Sequence, residues 1–153
     1  MSNQDEIGFR KDDYIGLASL ESRLASEAIE SGNFDKAWGH YQKVIVLRAK
    51  GAEKYKFTKR QTIESMSNVH IALARMLTKE NRHDEALMHI LYYVAGSNSP
   101  LSANLKIYRP YVNRCKFADL DLTTVTAKLN SWKDEPDLVQ IRDTVTDWKS
   151  TKA

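Results

Sequence analysis

One cysteine, three prolines and six glycines are all that the 153-residue chain holds of the residues that most often staple or punctuate a fold. A lone Cys115 excludes an internal disulfide framework and most cysteine-based metal sites. So few glycines and prolines argue against a many-turned β sandwich and for helices. Apolar runs are only a few residues long, too short for a membrane span. The polar start MSNQDEIGFRKDD lacks the apolar stretch of a signal peptide. There is no glycine-rich phosphate loop and no Gly-x-Ser-x-Gly. These absences lead us to expect a cytoplasmic, non-catalytic protein with no membrane partner, metal or cofactor.

What is present is an unequal distribution of charge. Residues 1–37 carry 4 Lys and Arg against 8 Asp and Glu, whereas residues 38–60 carry 7 against 1. A second basic block at 100–118 holds 4 cations and no carboxylate. The apolar pattern fits a helical period near 3.6, most clearly before Pro100 and more weakly after it. After a loose arm at 1–10, Asp12 or Asp13 can cap a helix with Tyr14, Leu17, Leu24, Ala25, Ala28 and Ile29 on one face. Ser31-Gly32-Asn33 ends it, and a second helix from Phe34 buries Ala37, Tyr41, Val44 and Ile45. Thr58-Lys59-Arg60-Gln61 has the form of a capping box and opens a third helix carrying Ile63, Met66, His70, Leu73 and Leu77. A fourth bears Ala86, Leu87, Ile90, Leu91 and Val94. Leu101, Leu105 and Tyr108 mark a fifth, which Pro110 must kink or end. The sixth and seventh carry Leu122, Val125, Leu129, Trp132 and then Leu138, Ile141, Val145, Trp148, with Pro136 suited to a first helical position. No segment reads as a strand. The expectation is one all-α domain over 11–153, with hairpins at 12–50 and 58–96 and C-terminal helices at 100–150. Trp132 and Trp148 would lock those last helices on as a cap, or else form an exposed aromatic dimer surface.

Two helix pairs share a pattern: Leu24, Ala25, Gly32, Phe34, Ala37, Tyr41 and Val44 in the first; Leu73, Ala74, Asn81, His83, Ala86 and Ile90 in the second. Over about residues 17–95 this resembles the tetratricopeptide repeat (TPR) family, which implies antiparallel hairpins and a binding or adaptor role. Its small residues, here Ala25 with Ala37 and Ala74 with Ala86, let two helices cross closely. Glu21 and Ala28 stand where the repeat favours Trp and Tyr, and a generic helical bundle is the competing reading. Ala37 and Ala86 lie 49 positions apart, against an ideal repeat of about 34. The excess falls at about 52–66 and would extend the second and third helices into a tip projecting beyond the body by roughly two turns.

That tip, residues 48–60, is where partner contact is expected. Arg48, Lys50, Lys54, Lys56, Lys59 and Arg60 would pair with carboxylates or phosphates, with Tyr55 and Phe57 as apolar anchors. Asn68, Arg75 and Lys79 are further candidates on an inner helix face. Three partners fit: an acidic protein or peptide, a nucleic acid, or a second copy in a homo-dimer. The alternative is simply a solvated helix end whose cations suit its C-terminal dipole. Lys106, Arg109, Arg114 and Lys116, with Tyr108 and Tyr111, could extend the field. His83, Asp84, Glu85 and His89 lack the spacing of a zinc site, so a turn histidine and a surface histidine are expected there. His70 is expected half-buried or facing a partner.

Overall fold

The computed structural model describes residues 13–150, so the arm at 1–10 lies outside it. The protein is all-α: the described residues form seven helices and no strand. They are α1 (Tyr14–Glu30), α2 (Phe34–Lys54), α3 (Lys59–Lys79), α4 (His83–Ala95), α5 (Leu101–Cys115), α6 (Leu122–Trp132) and α7 (Leu138–Ser150). Where one domain was expected, the contacts divide the chain into two compact units, Met1–Val69 and His70–Ala153.

In the first unit, Asp13 caps α1 by accepting a hydrogen bond from the Gly16 N–H. The helix ends as Gly32 turns to φ +77°, while Gly32 N–H and Asn33 N–H reach back to the carbonyls of Ile29 and Ala28. That paired closure satisfies carbonyls a helix end would otherwise leave orphaned. Asn33 then caps α2 by accepting from the Lys36 N–H. The α1–α2 pair is sealed by small residues: Ala18, Ala25, Ala28 and Ala37 are all nearly or wholly buried, beside Tyr41 and Val44. The capping box forms as its residues require, with Gln61 N–H donating to the Thr58 hydroxyl and Thr58 N–H to the Gln61 side-chain oxygen Oε1.

In the second unit α4 packs against α5, α6 and α7. It can do so because Ala86, Leu87, Ile90, Leu91, Val94 and Ala95 are buried across a broad arc, wider than the stripe of a surface helix. Ala74, Tyr108, Val125, Leu129, Trp132, Ile141 and Val145 complete that core, and Trp148 packs against it. Trp132 is therefore an interior residue and offers no exposed aromatic face.

One local expectation is narrowed and one corrected. Of kinking or ending at Pro110, ending is excluded: α5 continues to Cys115 and closes with Lys116 at φ 54°. Pro136 does not start α7; Asp137 supplies the cap, its carboxylate accepting from the N–H groups of Val139 and Gln140. A carboxylate that can satisfy two orphan donors outcompetes a ring that only presets φ.

Candidate partner-binding site

The predicted tip is built from the end of α2, the start of α3 and the turn between them. α2 closes as α1 does: Lys56 takes φ 54°, and Lys56 N–H and Phe57 N–H return to the carbonyls of Glu53 and Ala52. Gly51 and Ala52 are buried. A Cβ on Gly51 would stand 3.5 Å from Tyr14 Cβ, so α1 begins alongside the end of α2. The base of the expected tip therefore packs against the first turn of α1, at a spacing that a side-chain methyl would meet as ordinary van der Waals contact.

This arrangement encloses a cleft of about 290 Å³, lined by Ile15, Ala18 and Ser19 of α1, Arg48 and Gly51 of α2, Phe57 of the turn, and Glu64, Ser65 and Asn68 of α3. Three predicted contact residues, Arg48, Phe57 and Asn68, meet here. Ile15, Ser19, Glu64 and Ser65 were missed. The sequence signal that could have found Ile15 is its place on the first turn of α1, off the apolar stripe, where it is 55% exposed. Arg48 bridges the cleft wall, its Nη1 donating to the Ser65 carbonyl at 2.6 Å. Partial burial pulls its pKa below the ordinary guanidinium value, but from a starting point so high that the charge persists at neutral pH.

Around this cleft the other candidates divide by environment. Lys50, Lys54 and Lys56 are exposed. Lys54 Nζ stands 5.7 Å from the Tyr14 ring centroid and 5.1 Å from that of Tyr55, within cation–π range of both. Tyr55 and Phe57 lie 6.4 Å apart in a tilted pair, and Tyr55 is 45% exposed. Arg60 pairs with Glu64 at 3.1 Å, one turn along α3, so part of its charge is already answered. Lys59 is exposed at the first position of α3. Arg75 and Lys79 are exposed on the part of α3 that belongs to the second unit. The second basic block also lies in that unit: Lys106 and Arg109 are exposed, and Arg114 stands over Tyr111 at 5.0 Å.

The histidines differ from expectation. His89 is not a surface group: its Nδ1 shares a hydrogen bond with Nδ1 of His70 at 2.9 Å, and the rings stack with centroids 5.1 Å apart. His70 is only 5% exposed and also meets the Tyr92 ring at 4.1 Å. Both are nonpolar-packed because α3 and α4 place them on facing sides of one helix pair. Among the described residues, no group of three or more His, Cys, Asp or Glu side chains could hold a metal ion. No helix of the described residues is long and apolar enough to cross a membrane. Neither a family model, nor a curated protein, nor a solved structure matches the chain.

Proposed function

We propose that this chain is a binding module without chemistry of its own, an adaptor that presents the basic surface of its first unit to an acidic protein or peptide. The observation that carries this reading is the meeting of Arg48, Phe57 and Asn68 around one cleft, with Ile15 and Ala18 as apolar lining and Glu64 as its one carboxylate, in a unit whose α2 end and following turn also expose Lys50, Lys54 and Lys56. Its volume lies at the lower end of small-molecule sites, about 300–1,000 Å³, so it suits one or two anchoring side chains better than a cofactor. Carboxylates beside the anchor would meet the lysines, which steers association and selects the partner by charge. The tetratricopeptide-like pattern belongs to this proposal, and the cytoplasm is the setting it assumes, where Cys115 would remain a thiol.

The test is fluorescence anisotropy with labelled peptides that pair one bulky apolar residue with several carboxylates. Wild type should bind these in preference to neutral or basic versions, and more weakly as salt rises. Reversing Lys50, Lys54 and Lys56 to Glu should weaken binding at least tenfold, and Phe57→Ala should weaken it without changing the salt dependence. Equal affinity for acidic and basic peptides would sink the reading. Retention on single-stranded DNA or RNA that collapses in the reversed variant would replace the acidic partner by a nucleic acid. Light scattering giving a mass well above 17.5 kDa at every salt concentration would point instead to self-assembly.

A further inference from the structure

The second unit contains a pair of imidazoles, His70 buried and His89 half-buried, that partner binding in the first unit does not use. His70 projects from α3 and His89 from α4, and their Nδ1 atoms stand 2.9 Å apart. One nitrogen must carry the proton and the other must accept it, so the contact requires at least one neutral ring. Tyr92, one turn beyond the midpoint of α4, closes over His70 with a ring separation of 4.1 Å. The separation also falls near the bite of two imidazoles on one metal, but no third ligand is within reach among the described residues. A shared proton accounts for the geometry.

We propose that His70 and His89 form an acid-released clasp between α3 and α4. While both rings are neutral, or one is, the bond holds the two helices together. When both are cationic, two donors and two positive charges face each other at hydrogen-bond distance in a partly buried site. The clasp then opens.

The surroundings favour this direction. Burial pushes His70 down to about 3, with His89 adding to the effect, and burial pushes His89 down to about 4. The charged neighbours largely cancel: Glu85 favours a cationic His89 and Arg82 opposes it. Arg82 also donates to both Glu85 oxygens, through Nε at 3.0 Å and Nη2. Tyr92 is itself held neutral by burial and by the charge of Asp137, so it offers His70 an uncharged face. The sign follows from linkage. An unfolded imidazole takes its proton near pH 6.5, so the contribution of the pair is complete above that value and is lost as pH falls toward about 4 for His89 and about 3 for His70.

The full chain, titrated by NMR with the four histidines followed individually, tests this. The His70 and His89 ring signals should hold their neutral positions to about pH 5 while the fold persists, and amide exchange in α4 should quicken as they give way. Between about pH 5.5 and 4.5 the folding equilibrium constant, from denaturant titrations, should fall toward a hundredfold per pH unit, the mark of two protons. His89→Asn retains a side-chain nitrogen and oxygen near the Nδ1 position but cannot titrate, so its slope should drop to about tenfold. Either ring protonating near pH 6.5 with α4 still protected would overturn the clasp. So would an unchanged slope in His89→Asn; should that variant not fold, the wild-type titration decides by itself.

Discussion

Asn81 repeats at the second hairpin what Gly32 does at the first: each stands two places past the last residue of its helix with positive φ, 61° and 77°. In both turns the N–H of the next residue returns to the carbonyl five positions back, Asn33 to Ala28 and Arg82 to Leu77, at 2.8 and 2.9 Å. The same next residue then begins the following helix, as Asn33 caps α2 and Arg82 precedes α4. Glycine visits this region freely and asparagine at a modest cost. Asn81→Gly should therefore raise stability by up to about 1 kcal/mol, and Gly32→Ala should lower it by about the same. No atom lies within 4 Å of a Cβ at Gly32, so its cost would be torsional alone. Denaturant midpoints at constant slope are the measurement.

Ala37 is fully buried where α1 and α2 cross. Ala37→Leu should destabilise the chain by about 1–3 kcal/mol, because a packed seam cannot admit three more carbons without moving a helix. Ala49→Leu, on the exposed side of the same helix, should change stability by less than about 0.5 kcal/mol. Equal effects at the two positions would mean the crossing is not close.

Lys56 occupies at the end of α2 the place that Gly32 holds at the end of α1, again with positive φ. A lysine there is less stable than glycine would be, and its side chain is exposed one residue before Phe57, which lines the cleft. Lys56→Gly should gain up to about 1 kcal/mol of stability. On the proposed function the same change should weaken acidic-peptide binding. A more stable variant with unchanged affinity would leave Lys56 as a helix-end residue without a role in recognition.

Arg48 spans two helices through the Ser65 carbonyl. Lysine is a point donor on a different stem and cannot present the same planar fork. Arg48→Lys should cost about 1 kcal/mol of stability and weaken peptide binding more than Lys50→Arg does, since Lys50 is exposed and keeps its charge in that exchange. Thermal melts and the anisotropy assay separate the two losses.

Much of the fold could be read from residue order. Gly32 announced the first turn, Thr58 and Gln61 the start of α3, and the spacing from Leu122 to Trp132 the limits of α6, because caps and periodicity act within a few residues. Pro136 misled, and Pro110 left two outcomes open, for the same reason. Their local preferences were overridden by Asp137, which offered a better cap, and by the packing of Tyr108 and Val112 on either side of the proline. Of the candidate site, the cations were legible as a charge run. Ile15 and Ser65 were not, since neither carries a signal until α1 and α3 stand beside α2.

Seven helices, the starts of α1 and α3, and the buried alanines Ala25, Ala37, Ala74 and Ala86 followed from the sequence by itself, since each depends on bonds or spacings spanning about two turns. Only the tertiary structure decided that Gly51 would seat the start of α1, that Arg48 and Phe57 would share a cleft, and that His70 would find His89 nineteen positions away. Those pairings join residues on neighbouring elements, nine to thirty-seven positions apart, beyond the reach of a helical repeat. They are set by which apolar faces can be buried together, a property of the whole core that no short segment carries.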